Sequence, residues 1–161
     1  MSTVKEKPIW KFTVTGRQTS NTQSVAEARG KSAIIDEPIQ RGGTDEGPMP
    51  VEYVFMGLVG CTHVISNKLA AANGITFTSM DIDISVTMDS HGTRLINPID
   101  VPFPSVTLNI NAEFDGPREG AVKVSEVLRE YCAVSKMLQE SGTVVFENWT
   151  LNGETVPQVQ G

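Results

Sequence analysis

Cys61 and Cys132 are the only thiols in the chain, so any thiol chemistry runs through them. Brought together in space, one can attack a substrate and the other can resolve the product. Cys61 closes the run Tyr53-Val54-Phe55-Met56-Gly57-Leu58-Val59-Gly60-Cys61, and Cys132 opens Cys132-Ala133-Val134-Ser135-Lys136-Met137-Leu138. A thiol of ordinary pKa, about 8.5, is only a few per cent thiolate at neutral pH. Cys61 falls about three turns into a predicted helix, beyond the first turn where the macrodipole acts. Apolar neighbours such as Leu58 and Ile65 raise a thiol pKa. A reactive Cys61 therefore needs a cation from elsewhere in the fold, and arginine, always charged, also suits a peroxide oxygen. Arg17, Arg29 and Arg41 precede the helix, and the sequence does not choose among them. The competing reading of each cysteine is a small buried apolar side chain, the common fate of a free thiol.

Other candidates carry less. His63 lies two residues from Cys61, a poor spacing for two ligands on one helix face. Ser135 and Lys136 are expected to cap and solvate a short helix. Gly42 to Gly47 lacks the Gly-Lys-Ser/Thr ending of a phosphate loop and is expected to shape a tight helix entry. Asp81, Asp83 and Asp89 are expected on a solvated face, short of the ligands a metal needs. Neither a metal nor a cofactor is expected.

The elements that must position the thiols follow from periodicity. Trp10 to Thr15 alternates apolar and polar residues, as a strand does. Gly16 to Asn21 is turn-like, and Ser24 to Ile35 has room for one or two strands. Ile39 to Pro50 is rich in glycine and proline and reads as a connector. A helix of about 22 residues, about 33 Å long, starts at Pro50, where a missing N–H costs nothing. It runs on the spacing of Val51, Val54, Phe55, Leu58, Cys61, Thr62, Ile65, Leu69 and Ala72 and stops at Asn73-Gly74. Gly57 and Gly60 each cost about 1 kcal/mol inside it and imply close packing against another element. Met80–Asp89 and Val106–Phe114 alternate as strands of an antiparallel sheet with one wet face. The prolines of the intervening segment, Pro98, Pro102 and Pro104, keep part of it out of a ladder. Helices are expected over Arg118–Tyr131 and Ala133–Glu140, a last strand over Thr143–Leu151, and a loose polar tail beyond. The fold class is α+β, an antiparallel sheet on a long central helix.

A chain of 161 residues suits one domain over 1–161, with an ordered core over 8–152 and a tail over 153–161. With 39% hydrophobic and 20% charged residues it is a folding composition. A net charge of -6 without a Lys/Arg cluster argues against a nucleic-acid partner. Glu52, His63, Asn67 and Lys68 interrupt the longest apolar stretch, a poor membrane span. With no apolar run behind a charged N-terminus, no secretory signal is expected. Two cysteines then fit a reducing, cytoplasmic setting and redox use.

Gly42-Gly43, Gly47-Pro48-Met49-Pro50-Val51-Glu52, Gly60-Cys61-Thr62 and Cys132-Ala133-Val134-Ser135, in that order, resemble the osmotically inducible protein C (OsmC) and organic hydroperoxide resistance (Ohr) superfamily. The resemblance spans nearly the whole chain. It implies a thiol-dependent peroxidase acting on organic hydroperoxides. Cys61 would attack the peroxide and become a sulfenic acid, Cys132 would condense with it to a disulfide, and an external dithiol would reduce the product. It also implies an intertwined homodimer with two sites at the interface and the central helices packed together. Such helix contact suits Gly57 and Gly60. Val54, Phe55, Leu58 and Ile65 would line an apolar substrate pocket with residues of the partner subunit. Arg17, in Thr15-Gly16-Arg17, is the nearest match to the family's arginine. The peroxidase branch places its glutamate ten residues before the cysteine, and here that position is Val51. Glu52 stands nine before; nine steps turn through about 900°, to the opposite face, whereas ten miss by only about 80°. Glu52 fills the role only through a contact across the dimer. Ala133 replaces the usual proline. These departures imply a less-characterised branch. The alternative they support is a protein of the same fold that binds a small apolar or thiol ligand without turnover.

Overall fold

The computed structural model describes residues 9–160; Pro8, where the ordered core is expected to begin, lies outside them. The chain divides between Val54 and Phe55 into two compact units.

The first unit holds three antiparallel strands, β1 (Thr15–Gln18), β2 (Ser24–Ala28) and β3 (Lys31–Ile35), in that spatial order. Ser24 to Ile35 thus contains two strands, joined by Arg29-Gly30 with φ of 54° and 72°. Two consecutive residues of positive φ make the tight turn that matches strand twist. Two expectations are corrected here. Trp10 to Val14 is irregular and exposed rather than a strand, and β1 covers part of the segment expected to turn. Alternation supplies a face, but a strand also needs a ladder partner, and β2 pairs with Thr15–Gln18.

The connector after β3 is organised by Asp36, whose carboxylate is buried. It accepts the backbone N–H of Glu37 at 2.8 Å and of Thr44 at 3.1 Å, and the Thr44 hydroxyl at 2.5 Å. Those bonds hold its pKa well below the usual carboxylate range, the Thr44 hydroxyl contributing most. Glycine is dictated at two points. A Cβ on Gly43 would stand 1.7 Å from the Glu37 carbonyl oxygen, and one on Gly47 2.3 Å from that of Ile34. The loop delivers the chain to α1 (Pro50–Ala72). Glu52 accepts the Met49 N–H at 2.7 Å, satisfying one of the donors a helix start leaves over.

The second unit continues along α1, which buries Phe55, Leu58, Thr62, Ser66 and Ala70, a stripe at three- and four-residue spacing. The helix ends where expected, with the Asn73 side-chain amide donating to the Leu69 carbonyl at 2.8 Å. Then follow β4 (Thr76–Thr87), β5 (Ser105–Asp115), α2 (Arg118–Tyr131), α3 (Ala133–Glu140), β6 (Val144–Leu151), β7 (Glu154–Thr155) and β8 (Val159–Gln160). Val106, Leu108, Ile110, Ala112 and Phe114 of β5 are all buried, as the alternation predicts. The sheet order is β4-β5-β6-β7, with β8 also beside β6.

The sheet is mixed rather than wholly antiparallel, because β6 runs parallel to β5. A parallel neighbour requires a crossover, and α2 and α3 provide it while contacting β6. The tail is not loose throughout: β7 and β8 pair with β6, and the Arg129 guanidinium donates to the Gln160 carbonyl. Phe77 stacks on Trp149 with centroids 6.3 Å apart, tying the two sides of the sheet into one core.

Candidate functional site

The second unit brings the two thiols together. Cys61 is half-buried on α1. Cys132 is completely buried at the α2–α3 junction, in extended backbone with φ −75° and ψ 108°. Its N–H closes α2 on the Leu128 carbonyl at 2.9 Å, and its carbonyl opens α3 by accepting the Lys136 N–H at 2.8 Å. One residue therefore ends one helix and starts the next, which fixes where its side chain projects. The Cys132 thiol lies near enough to Cys61 for that thiol to raise its pKa, and both are free thiols. Burial first, and the neighbouring Cys61 second, push the Cys132 thiol up to about 12; the N–H groups of Ser135 and Val134 pull the other way. Removing a thiol from water penalises its charged form.

The other predicted site residues are distributed as follows. In the first unit, Arg17 lies exposed on β1 opposite Val25 and lines a cavity of about 290 Å³ with Thr15, Gly16, Val25 and Glu27. No ion pair among the described residues involves it. Arg41 pairs with Glu37 at 3.6 Å, and Arg29 sits exposed in the β2–β3 turn. The Glu52 carboxylate is committed to the Met49 N–H, and Val54 is half-buried. In the second unit, Leu58 is completely buried, and Phe55 packs edge-on against Phe103 with centroids 5.0 Å apart. Ile65 is half-buried. His63 is exposed, and Ser135 is buried, its hydroxyl accepting from Gln139 at 3.1 Å. Among the described residues no three His, Cys, Asp or Glu side chains gather as metal ligands.

Sequence reasoning placed Thr62 on the recurring face of α1 but missed Ser66 and Glu147. Thr62 and Ser66 are buried on α1, one turn apart, and their hydroxyls lack a hydrogen-bond partner among the described residues. Glu147 is 1% exposed on β6, its carboxylate accepting the Trp149 ring N–H at 3.3 Å. Its burial was legible, because Glu147 shares the parity of the apolar Val145, Trp149 and Leu151.

The remaining face of α1 is open. Met56, Val59 and Val64 are exposed, and a Cβ on Gly57 or Gly60 would meet nothing within 4 Å among the described residues. The close contact expected at these glycines is not made among the described residues. By length and composition α1 is also apolar enough to cross a membrane, with mean hydropathy 1.3 over an 18-residue window of which 28% is buried.

A family model described as OsmC-like protein matches residues 43–147, well over half of the chain. Solved structures match over most of their length. An OsmC-like protein from Mycoplasma pneumoniae superposes with a TM-score of 0.74 at 18% identity, covering 88% of this chain and 97% of its own. An organic hydroperoxide resistance protein OsmC from Legionella pneumophila gives 0.59 at 14% identity, covering 90% and 98%. A putative organic hydroperoxide resistance protein from Vibrio cholerae, with captopril bound in one of its active sites, gives 0.61 at 14% identity, covering 94% and 98%. No curated protein matches. At these identities the likeness is one of fold.

Proposed function

Because the chain belongs to the OsmC-like protein family, we propose that it is a thiol-dependent peroxidase that reduces organic hydroperoxides through Cys61 and Cys132. The observation that carries this reading is the nearness of the half-buried Cys61 to the buried Cys132, whose pKa it raises. Cys61 attacks the terminal peroxide oxygen, the O–O bond breaks, and a sulfenic acid forms. Cys132 then displaces hydroxide from that sulfur, and an external dithiol reduces the disulfide. Arg17, the nearest match to the family's arginine, is the assigned cation; it pairs with no described carboxylate, whereas Arg41 pairs with Glu37. Glu52 is assigned to holding the start of α1. Val54, Phe55 and Ile65, with Leu58 behind them, supply the apolar side of a pocket that prefers an alkyl hydroperoxide over hydrogen peroxide.

The open face of α1 is assigned to a second copy of the chain. Gly57 and Gly60 let two helix backbones approach closely, and Met56, Val59 and Val64 leave water in the contact. This occupant is favoured over lipid because membership of the OsmC-like family implies a homodimer with the central helices packed together.

The test is consumption of cumene hydroperoxide with a dithiol present. Turnover is expected in the native protein, background only in Cys61→Ser, and a stalled sulfenic acid in Cys132→Ser. A native protein that consumes no organic hydroperoxide contradicts the assignment. The second reading, a binder without turnover, is favoured by Val51 at the family glutamate position and by the thiol drug captopril in the Vibrio neighbour. Thiol-reagent titration of Cys61 separates the two, since an ordinary value near about 8.5 fits the binder.

A further inference from the structure

We propose that Thr62 and Ser66 form a buried site for one water molecule, held between their two hydroxyls on the inner face of α1. The proposal stands apart from the peroxidase reading, and either can fail without the other.

Both side chains belong to the stripe that α1 buries, Phe55, Leu58, Thr62, Ser66 and Ala70. Thr62 is 1% exposed and Ser66 0%. Neither hydroxyl has a hydrogen-bond partner among the described residues. A hydroxyl buried on a helix has an easy local remedy, which is to donate to a carbonyl three or four residues back. The chain uses that remedy elsewhere. The Ser125 hydroxyl donates to the Val122 carbonyl on α2, and the Ser141 hydroxyl to the Leu138 carbonyl at the end of α3, each at 2.7 Å. Thr62 and Ser66 do not take it, so their bonding capacity is left for something other than the α1 backbone.

Spacing and chemistry identify the occupant. Residues four apart stand one above the other on a helix, with Cβ atoms about 5–6 Å apart. That span is wide for a direct bond between two hydroxyls, but it fits two O–H···O bonds of about 2.8 Å meeting at one shared oxygen. The occupant is small, because Leu58, Thr62, Ser66 and Ala70 are all sealed from solvent. It can both donate and accept, as each hydroxyl does. Water meets both demands, and two polar partners suffice to hold it in an interior. Valine and alanine would fill the same two places without polar atoms. Hydroxyls with nothing to bond bring only the cost of leaving water. The site lies in the turn of α1 that directly follows Cys61.

Two measurements on the full chain test this. A crystal structure of the native protein, at a resolution that orders waters, is expected to show one density peak within hydrogen-bond reach of both hydroxyls. Urea melts of Thr62→Val, Ser66→Ala and the double variant read its energetics. Each single substitution leaves the water a partner short and is expected to raise the unfolding constant about 5- to 30-fold. The double variant is expected to lose clearly less than the product of the two, because the water leaves with the second hydroxyl. Hydroxyls bonded to α1 carbonyls, with no peak between them, overturn the proposal. So do single substitutions that leave stability unchanged or raise it. Single losses that multiply in the double variant overturn it as well, as the sign of two separate partners. If a variant fails to fold, the native density decides by itself.

Discussion

Cys132 and Glu147 are both buried ionisable groups of the second unit, and burial drives both toward their neutral forms. For Cys132 the consequence is a thiol whose charged form is disfavoured. For Glu147 the consequence is stability. Burial raises its pKa from 4.5 to about 6, against the Trp149 ring N–H and the attraction of Arg129, which lower it. The folded state therefore holds this proton more tightly than the unfolded chain. The stabilisation is complete below the unfolded value of 4.5 and is lost as pH rises through about 6. Its size is about 2 kcal/mol. Urea melts of native protein are expected to weaken by that order between pH 4.5 and pH 7, and Glu147→Gln is expected to abolish the slope and exceed the native protein at pH 8. A pH-independent native midpoint contradicts this. The pairing of the thiols was legible only through family likeness, because no local pattern reports which distant residues meet. The burial of Glu147, by contrast, follows from strand parity, a purely local signal.

At the scale of elements, legibility tracked how local the determinant is. α1 begins at its proline and ends at Asn73-Gly74 as expected, because start and stop signals act within a turn. The alternation of β5 placed all five inward residues. The direction of β6 was not readable, since alternation carries no polarity and the crossover through α2 and α3 decides it. The β2–β3 turn was hidden because Arg29 occupies a positive-φ position where asparagine, aspartate or glycine is the usual signal. The glycines of the entry loop and of α1 make opposite predictions. Gly43→Ala puts a Cβ 1.7 Å from the backbone oxygen of Glu37 and is expected to cost about 3 kcal/mol or more. Gly60→Ala meets nothing among the described residues and gains about 1 kcal/mol of helix propensity, so an isolated chain is expected to be stabilised. If α1 packs on a second copy, the added methyl instead holds the helices apart, and sedimentation is expected to show a weakened dimer. A Gly60→Ala protein with unchanged self-association contradicts the assigned face.

For the whole molecule, the account joins a family assignment to one contact. Composition and periodicity supplied an α+β class, while the mixed sheet, the paired tail and the meeting of the thiols came from the structure. What distinguishes a redox pair from two buried cysteines is that a single chain closes on itself when oxidised, a bond possible only for Cα atoms within about 7 Å. The most direct measurement is mass spectrometry of the protein after one equivalent of an organic hydroperoxide, before and after proteolysis. The expected product is a monomeric chain lighter by two hydrogens, in which the peptides of Cys61 and Cys132 are joined to each other. Two unaltered thiols, or a disulfide only between separate chains, would contradict the account.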